Sequence, residues 1–175
     1  MSASTSPQPG HLHIAVITVS DTRTASTDQS GRAIVDALTP RGHAVYGPVI
    51  VTDEESRIRA EVVELSQRHD VIILTGGTGI TARDVTPEAI APLITKEIPG
   101  FGELFRWLSY DQIGASTIQS RAFGALCGRA LVFALPGSTR AVQFALDKIL
   151  IPQLDPTTKP CNFAELLPRI RGSER

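Results

Sequence analysis

Cysteine is scarce in this chain: Cys127 and Cys161 are the two among 175 residues, and no metal-ligand spacing relates them. That argues against a disulfide scaffold or a zinc site and for a reducing compartment, the cytoplasm. Excess charge is missing too, with 17 basic against 18 acidic side chains, so nothing calls for a nucleic acid or an acidic membrane partner. No apolar run approaches the ~20 residues of a membrane span. Aromatic residues are 5% of the chain. Phe101, Phe105 and Trp107, at near-helical spacing, read as core or subunit contact before they read as an aromatic platform. His11, His13, His43 and His69 form no pair with catalytic or metal spacing. A G-x-S-x-G elbow is absent, which removes serine-hydrolase chemistry.

What the chain does have is an alternation of strand and helix. Residues 1–10 read as a Ser/Pro-rich tail without the apolar region of a signal peptide. Strands are expected at 14–19, 44–51, 70–74 and 130–135. Gly47-Pro48 inside the second strand suggests an edge position or a bulge. Helices are expected from Ser30-Gly31 to Leu38, from about Glu54 to Arg68 with Asp53 as its cap, and over 87–93, 102–110 and 141–150. Residues 116–129 fit either short strands or one irregular helix, and the last fifteen residues fit a docked helix. This order predicts one α/β domain over residues 11–155, a three-layer sandwich with a mainly parallel sheet, and a C-terminal extension over 156–175.

Right-handed crossovers place the carboxyl ends of parallel strands on one edge, where open α/β sheets bind ligands. Four segments follow predicted strands there: Ser20-Asp21-Thr22, Thr52-Asp53, the stretch from Thr75 to Asp84, and Pro136-Gly137-Ser138. The third is the richest. Gly76, Gly77, Thr78 and Gly79 offer close backbone approach and bare amides to phosphate, and the Thr86-Pro87-Glu88 helix start adds its positive dipole end. It is neither a Walker A loop nor a dinucleotide fingerprint. Asp84 suits a divalent cation bound with phosphate, or else local turn hydrogen bonds. Asp53 and Asp21 carry the same two alternatives, cap or turn against ligand. Ser116 to Arg121 offers hydroxyls, an amide and a guanidinium that can cradle an oxyanion, or else forms a polar surface strand. Ser138 either caps the last helix or lines a second anion site.

These residues together resemble the MoaB/MogA family of molybdenum cofactor biosynthesis proteins, with MoaB the nearer branch. The landmarks are Val19-Ser20-Asp21-Thr22, Asp53-Glu54, Thr75-Gly-Gly-Thr-Gly79 followed by Arg83-Asp84-Val85-Thr86-Pro87-Glu88, Pro99-Gly100-Phe101-Gly102-Glu103, Ser116 to Ala122 and Leu135-Pro136-Gly137-Ser138. MogA-like members carry Pro-Gly-x-Pro-Lys after the last strand, whereas Pro136-Gly137-Ser138-Thr139-Arg140 is MoaB-like. The resemblance implies the molybdopterin-binding fold, a homotrimer or homohexamer, contacts with other proteins of the pathway, and Mg²⁺-dependent transfer of adenylate from ATP to the phosphate of molybdopterin. It implies catalytic and metal-binding roles for Asp53 and Asp84. Nucleotide phosphates fall to Ser20, Asp21, Gly76, Gly77, Thr78, Gly79, Gly137 and Ser138, and the pterin phosphate to Ser116, Ser120 and Arg121. A non-catalytic molybdopterin-binding or scaffold protein keeps the same residues, and an unrelated Mg²⁺-dependent nucleotide enzyme is the third alternative.

Overall fold

The β-branched run near the start of the chain forms β1, His13–Val19, whose last six residues are all buried. The computed structural model describes residues 11–172, so the expected tail over residues 1–10 lies outside it. The chain continues through α1 (Gln29–Leu38), β2 (Ala44–Val51), α2 (Glu55–Ser66), β3 (Val71–Thr75) and α3 (Thr86–Ile90). Then come β4 (Ile94–Ile98), α4 (Pro99–Ile113), β5 (Phe123–Cys127), β6 (Ala130–Leu135) and α5 (Thr139–Ala145). A π turn over Leu146–Leu150 leads into α6 (Ile151–Leu154), and α7 (Phe163–Ile170) ends the described chain.

The six strands lie in the order β2-β1-β3-β6-β5-β4. Pairings among β2, β1, β3 and β6 are parallel, and β5 runs antiparallel to both β6 and β4. Strand side chains alternate between faces. Ile14, Val16, Val71, Ile73, Leu131 and Phe133 enter one core with residues of α1, α4, α5 and α7. Ala15, Ile17, Ile72, Leu74, Val132 and Ala134 enter a second core with residues of α2 and α3. Helices on both faces of one sheet make the expected three layers. Burying each large side chain at these positions is worth about 1.5–3 kcal/mol relative to exposure.

The second strand is at the edge of the sheet, and its register with β1 shifts between Ala15 and Ile17, beside Gly47-Pro48. Edge position and irregularity therefore occur together. The sequence reading did not include β4. The open choice over 116–129 resolves into a 3₁₀ turn, Gly114–Gln119, followed by β5. At the opposite end of the strands, Arg171 after α7 pairs with Asp70, which also accepts the His13 amide at 2.6 Å. Among the described residues no helix is long and apolar enough to cross a membrane.

What positions the site is a reversal of winding. The chain leaves β1 for β2 on one side and returns to place β3 on the other. The turns after β1 and β3 therefore diverge and open a crevice at the carboxyl ends of the strands.

Candidate functional site

A cavity of about 600 Å³ fills that crevice. Among its lining residues are Ser20, Gly76 to Gly79, Asp84, Ser116, Ser120, Gly137 and Ser138, drawn from the ends of β1, β3 and β6 and from the 3₁₀ turn. Three of the residues expected at the site, Asp21, Asp53 and Arg121, do not line it.

The glycine loop is fixed from several directions. Gly76 and Gly77 have φ of +106° and +65°, a region open to glycine at little cost. A Cβ on Gly76 would stand 2.2 Å from the Val19 carbonyl oxygen, and one on Gly77 would stand 2.4 Å from Thr86 Oγ1. The Gly76 amide donates to the Leu135 carbonyl at 3.0 Å, while Thr75 Oγ1 donates to the Pro136 carbonyl at 2.9 Å. Thr86, fully buried, donates its hydroxyl to the Gly76 carbonyl (2.9 Å) and its amide to the Gly77 carbonyl (3.0 Å). The carbonyls are held, while the Gly77 and Thr78 amides meet no acceptor among the described residues.

Asp84 closes the loop. Its Oδ2 accepts the Thr81 amide at 2.9 Å and the Thr81 hydroxyl at 2.7 Å. Burial raises its pKa, but these bonds, the Gly79 amide and the Arg121 charge outweigh burial and leave it below the ordinary aspartate value. The turn-bonding alternative is thus realised, and Asp84 also lines the cavity.

Asp53 differs from expectation. It is not the cap of α2; that position belongs to Glu54, which makes no side-chain capping bond. Instead Asp53 and Asp21 exchange hydrogen bonds, each backbone amide donating to the other's carboxylate at 2.9 Å. The pair ties the turns after β1 and β2 together, which no local pattern shows because the partners are 32 residues apart. Burial, the Asp21 carboxylate and Asp84 raise the pKa of Asp53, against the Asp21 amide and Arg83, which lower it. Arg83 in turn donates to Asp21 Oδ2 at 2.6 Å. Among the described residues no group of three or more His, Cys, Asp and Glu side chains is arranged to hold a metal ion. A three-carboxylate nest is therefore not what the turns form. Asp84 is a hard oxygen donor at the cavity, of the kind Mg²⁺ takes when it binds through one or two carboxylates plus substrate phosphates; Asp53 is the same kind of donor but stands outside the cavity lining.

Arg121 is a second correction. Its Nε donates to the Gly79 carbonyl and its Nη2 to the Asp84 carbonyl, both at 2.6 Å, and its Nη1 pairs with Glu88. It clamps the glycine loop from outside, so the oxyanion-cradle role read from Ser116 to Arg121 does not fall to this guanidinium. The cations at the cavity are Arg23 and Arg140, two residues the sequence reading did not place there. Their signal was position, immediately beyond Ser20-Asp21-Thr22 and Gly137-Ser138. Ser138 is the N-cap of α5, accepting the Ala141 amide at 3.2 Å, and lines the cavity as well. Sequence reasoning also missed Asp28, the N-cap of α1, whose side chain accepts the Gly31 amide.

The chain matches, over residues 15–156, the family described as "Probable molybdopterin binding domain". Molybdenum cofactor biosynthesis protein B of Escherichia coli (strain K12) is 45% identical over 152 residues, covering 86% of this chain and 89% of that protein. A crystal structure of Molybdenum cofactor biosynthesis protein B superposes with a TM-score of 0.83 at 39% identity, covering 95% of this chain and 99% of that one. The tungsten cofactor synthesizing protein MoaB from Pyrococcus furiosus gives a TM-score of 0.73 at 37% identity, covering 82% and 93%. With its parallel strand ends, glycine loop and cavity, the chain belongs to the probable molybdopterin-binding-domain family, among the molybdenum cofactor biosynthesis proteins.

Proposed function

We propose that this chain transfers adenylate from Mg-ATP to the terminal phosphate of molybdopterin, in the cytoplasm, releasing pyrophosphate. The observation that supports the reading most is the cavity at the β1/β3 switch point. It joins unengaged loop amides, the Asp84 carboxylate and two arginines in one space. A phosphate oxygen of molybdopterin attacks the α-phosphorus of ATP; the bond from that phosphorus to the bridging oxygen breaks, and pyrophosphate leaves with the electron pair.

Both reactants are anionic, so the obstacle is repulsion. The nucleophile is already ionised near neutrality, so no strong base is required. The Gly77 and Thr78 amides supply fixed donors to phosphate oxygens, and Arg23 and Arg140 add positive charge. Ser116 and Ser120 offer hydroxyls to the phosphate of the pterin. Asp84 and Asp53 are the residues that would hold magnesium, which, when bound, offsets charge between the two sets of phosphates.

Pyrophosphate release from molybdopterin, ATP and Mg²⁺ tests the proposal. The wild-type chain is expected to turn over, and Asp84→Asn to lose at least about 100-fold in rate while keeping its circular dichroism spectrum. One observation favours a second reading. Asp53 lies outside the cavity with Oδ2 bound to the Asp21 amide, which suits a protein that binds or delivers molybdopterin without turnover. Under that reading molybdopterin binds and no pyrophosphate appears. Self-association as a homotrimer or homohexamer belongs to the same proposal. Phe101 and Phe105 of α4 are buried, whereas Trp107 is 72% and nearby Ile118 82% exposed, an apolar face suited to another copy. Other proteins of the cofactor pathway are the partners expected beyond the substrates.

A further inference from the structure

Beneath the cavity lies a small buried network with a fixed polarity. Asp28 is 1% exposed, and its Oδ2 accepts the Thr18 hydroxyl at 2.6 Å. Its Oδ1 accepts the Gly31 amide at 2.9 Å and the Ser30 hydroxyl at 3.3 Å. Thr18 and Ser30 are themselves nearly buried, at 2% and 5%, yet both line the cavity, as its floor. The packing leaves no slack: a Cβ on Gly31 would stand 2.3 Å from Asp28 Oδ2 and 2.5 Å from Thr18 Oγ1.

A carboxylate accepts hydrogen bonds and donates none, and a hydroxyl has one hydrogen to give. Both floor hydroxyls give theirs to Asp28. With those hydrogens committed, what either oxygen can offer a ligand is lone-pair density. Such a floor repels phosphate and takes an N–H. The glycine-loop side of the same cavity has the opposite polarity, with the Gly77 and Thr78 amides unengaged. Phe105, Phe144 and Val19 line the cavity as well and provide apolar surface for a flat ring.

We infer that Thr18 and Ser30, oriented by Asp28, form an acceptor-only subsite that reads the amino or ring N–H edge of the ligand's heterocycle and so fixes which end of the ligand faces the glycine loop. The inference rests on the proposed function for the presence of such a ligand. It adds that Asp28 is a positioning residue for specificity, acting through two hydroxyls. A site built to bond an N–H discriminates against an analogue carrying a carbonyl there, because two acceptors are then left facing each other. The shared chemistry is an amino-substituted nitrogen heterocycle, supplied by either the pterin or the adenine.

Two matched pairs of probes separate these sources when titrated against the full chain: pterin against lumazine, which replaces the amino group with a carbonyl, and AMP against IMP, which does the same for adenine. The wild-type chain is expected to favour the amino member of one pair by at least about tenfold. Asp28→Asn keeps an acceptor for the Gly31 cap but donates to Thr18, freeing that hydroxyl hydrogen toward the cavity; the ratio should fall to about twofold or invert. Thr18→Val keeps the cap and the shape and should also collapse the ratio, so it decides the matter if Asp28→Asn misfolds. A collapse in the pterin pair identifies the pterin, and one in the nucleotide pair identifies adenine. Binding without amino preference in the wild-type chain, or an unchanged ratio in a folded variant, overturns the inference and leaves the proposed function standing. Failure of all four probes to bind the wild-type chain overturns both.

Discussion

Two walls of the cavity are built on different principles. The glycine loop after β3 has its carbonyls gripped by buried or charged partners: Thr86 on Gly76 and Gly77, Arg121 on Gly79 and Asp84, the Arg121 amide on Thr78. The opposite wall, the end of α4 and the 3₁₀ turn Gly114–Gln119, is largely exposed. Thr117 donates to the Arg106 carbonyl at 3.1 Å, and Arg106 reaches the Ala122 carbonyl at 3.0 Å. Fixing the carbonyls leaves the amides on the other side of the peptide planes for a ligand, so the rigid wall suits an invariant group such as phosphate. The looser wall carries Ser116 and Ser120, the hydroxyls proposed above for the phosphate of the pterin, and suits the reactant that must be released as product.

The sharpest way to break this contrast is to add one methyl group to the rigid wall. Gly76→Ala combines a φ of +106° with a Cβ 2.2 Å from the Val19 carbonyl oxygen. It is expected to cost about 3 kcal/mol or more, read as a lower denaturation midpoint at unchanged slope. Removing the clamp that joins the walls comes next. Arg121→Ala releases the Gly79 and Asp84 carbonyls together and should cost about 2 kcal/mol, with faster hydrogen exchange confined to the glycine loop.

A smaller effect separates the two aspartates. Asp84 has a pKa below the ordinary 3.8, with burial opposed by the Thr81 bonds. Its stabilisation is fully present above that ordinary value and disappears as pH falls through the lower folded one. Asp53 has a raised pKa, chiefly from burial, so the wild-type chain loses stability as pH rises from the ordinary aspartate value through the higher folded one. Thermal melts against pH should therefore show Asp84→Asn less stable than wild type at neutral pH and converging with it in strong acid. Asp53→Asn should show the reverse sign, equal or more stable at neutral pH. The smallest effect belongs to the start of the helix whose far end forms the loose wall. Gly100, in the first turn of α4, has nothing within 4 Å of an added Cβ. Gly100→Ala should raise stability by about 0.5 kcal/mol, a small upward shift in melting temperature.

Much of this architecture was legible locally. The strand–helix alternation, the edge character of Gly47-Pro48 and the glycine loop all announce themselves in short windows, because periodicity and backbone freedom are properties of neighbouring residues. β4 did not. Ile94-Thr95-Lys96-Glu97-Ile98 has charged residues at its centre and pairs only with β5, so its strand state depends on a partner that was itself ambiguous. Arg121 looked like an anion ligand because a guanidinium near two serines looks the same whether it faces a cavity or the back of a loop. Asp53 looked like a helix cap because its true partner, Asp21, lies on another strand end. Trp107 and Phe105, two residues apart, went to opposite environments once α4 turned one face to the core.

The sequence by itself determined the layered α/β order, the family, and the loop whose glycines no other residue can replace, since those follow from side-chain pattern and allowed dihedral angles. Only the tertiary structure decided which polar groups face the cavity and which are used to hold it. Asp84, Arg23 and Arg140 line it, Arg121 and the Asp21–Asp53 pair brace it, and Asp28 polarises its floor from beneath. The physical reason is that a hydrogen bond commits a group to one direction, and that direction is set by partners distant in sequence and adjacent in space.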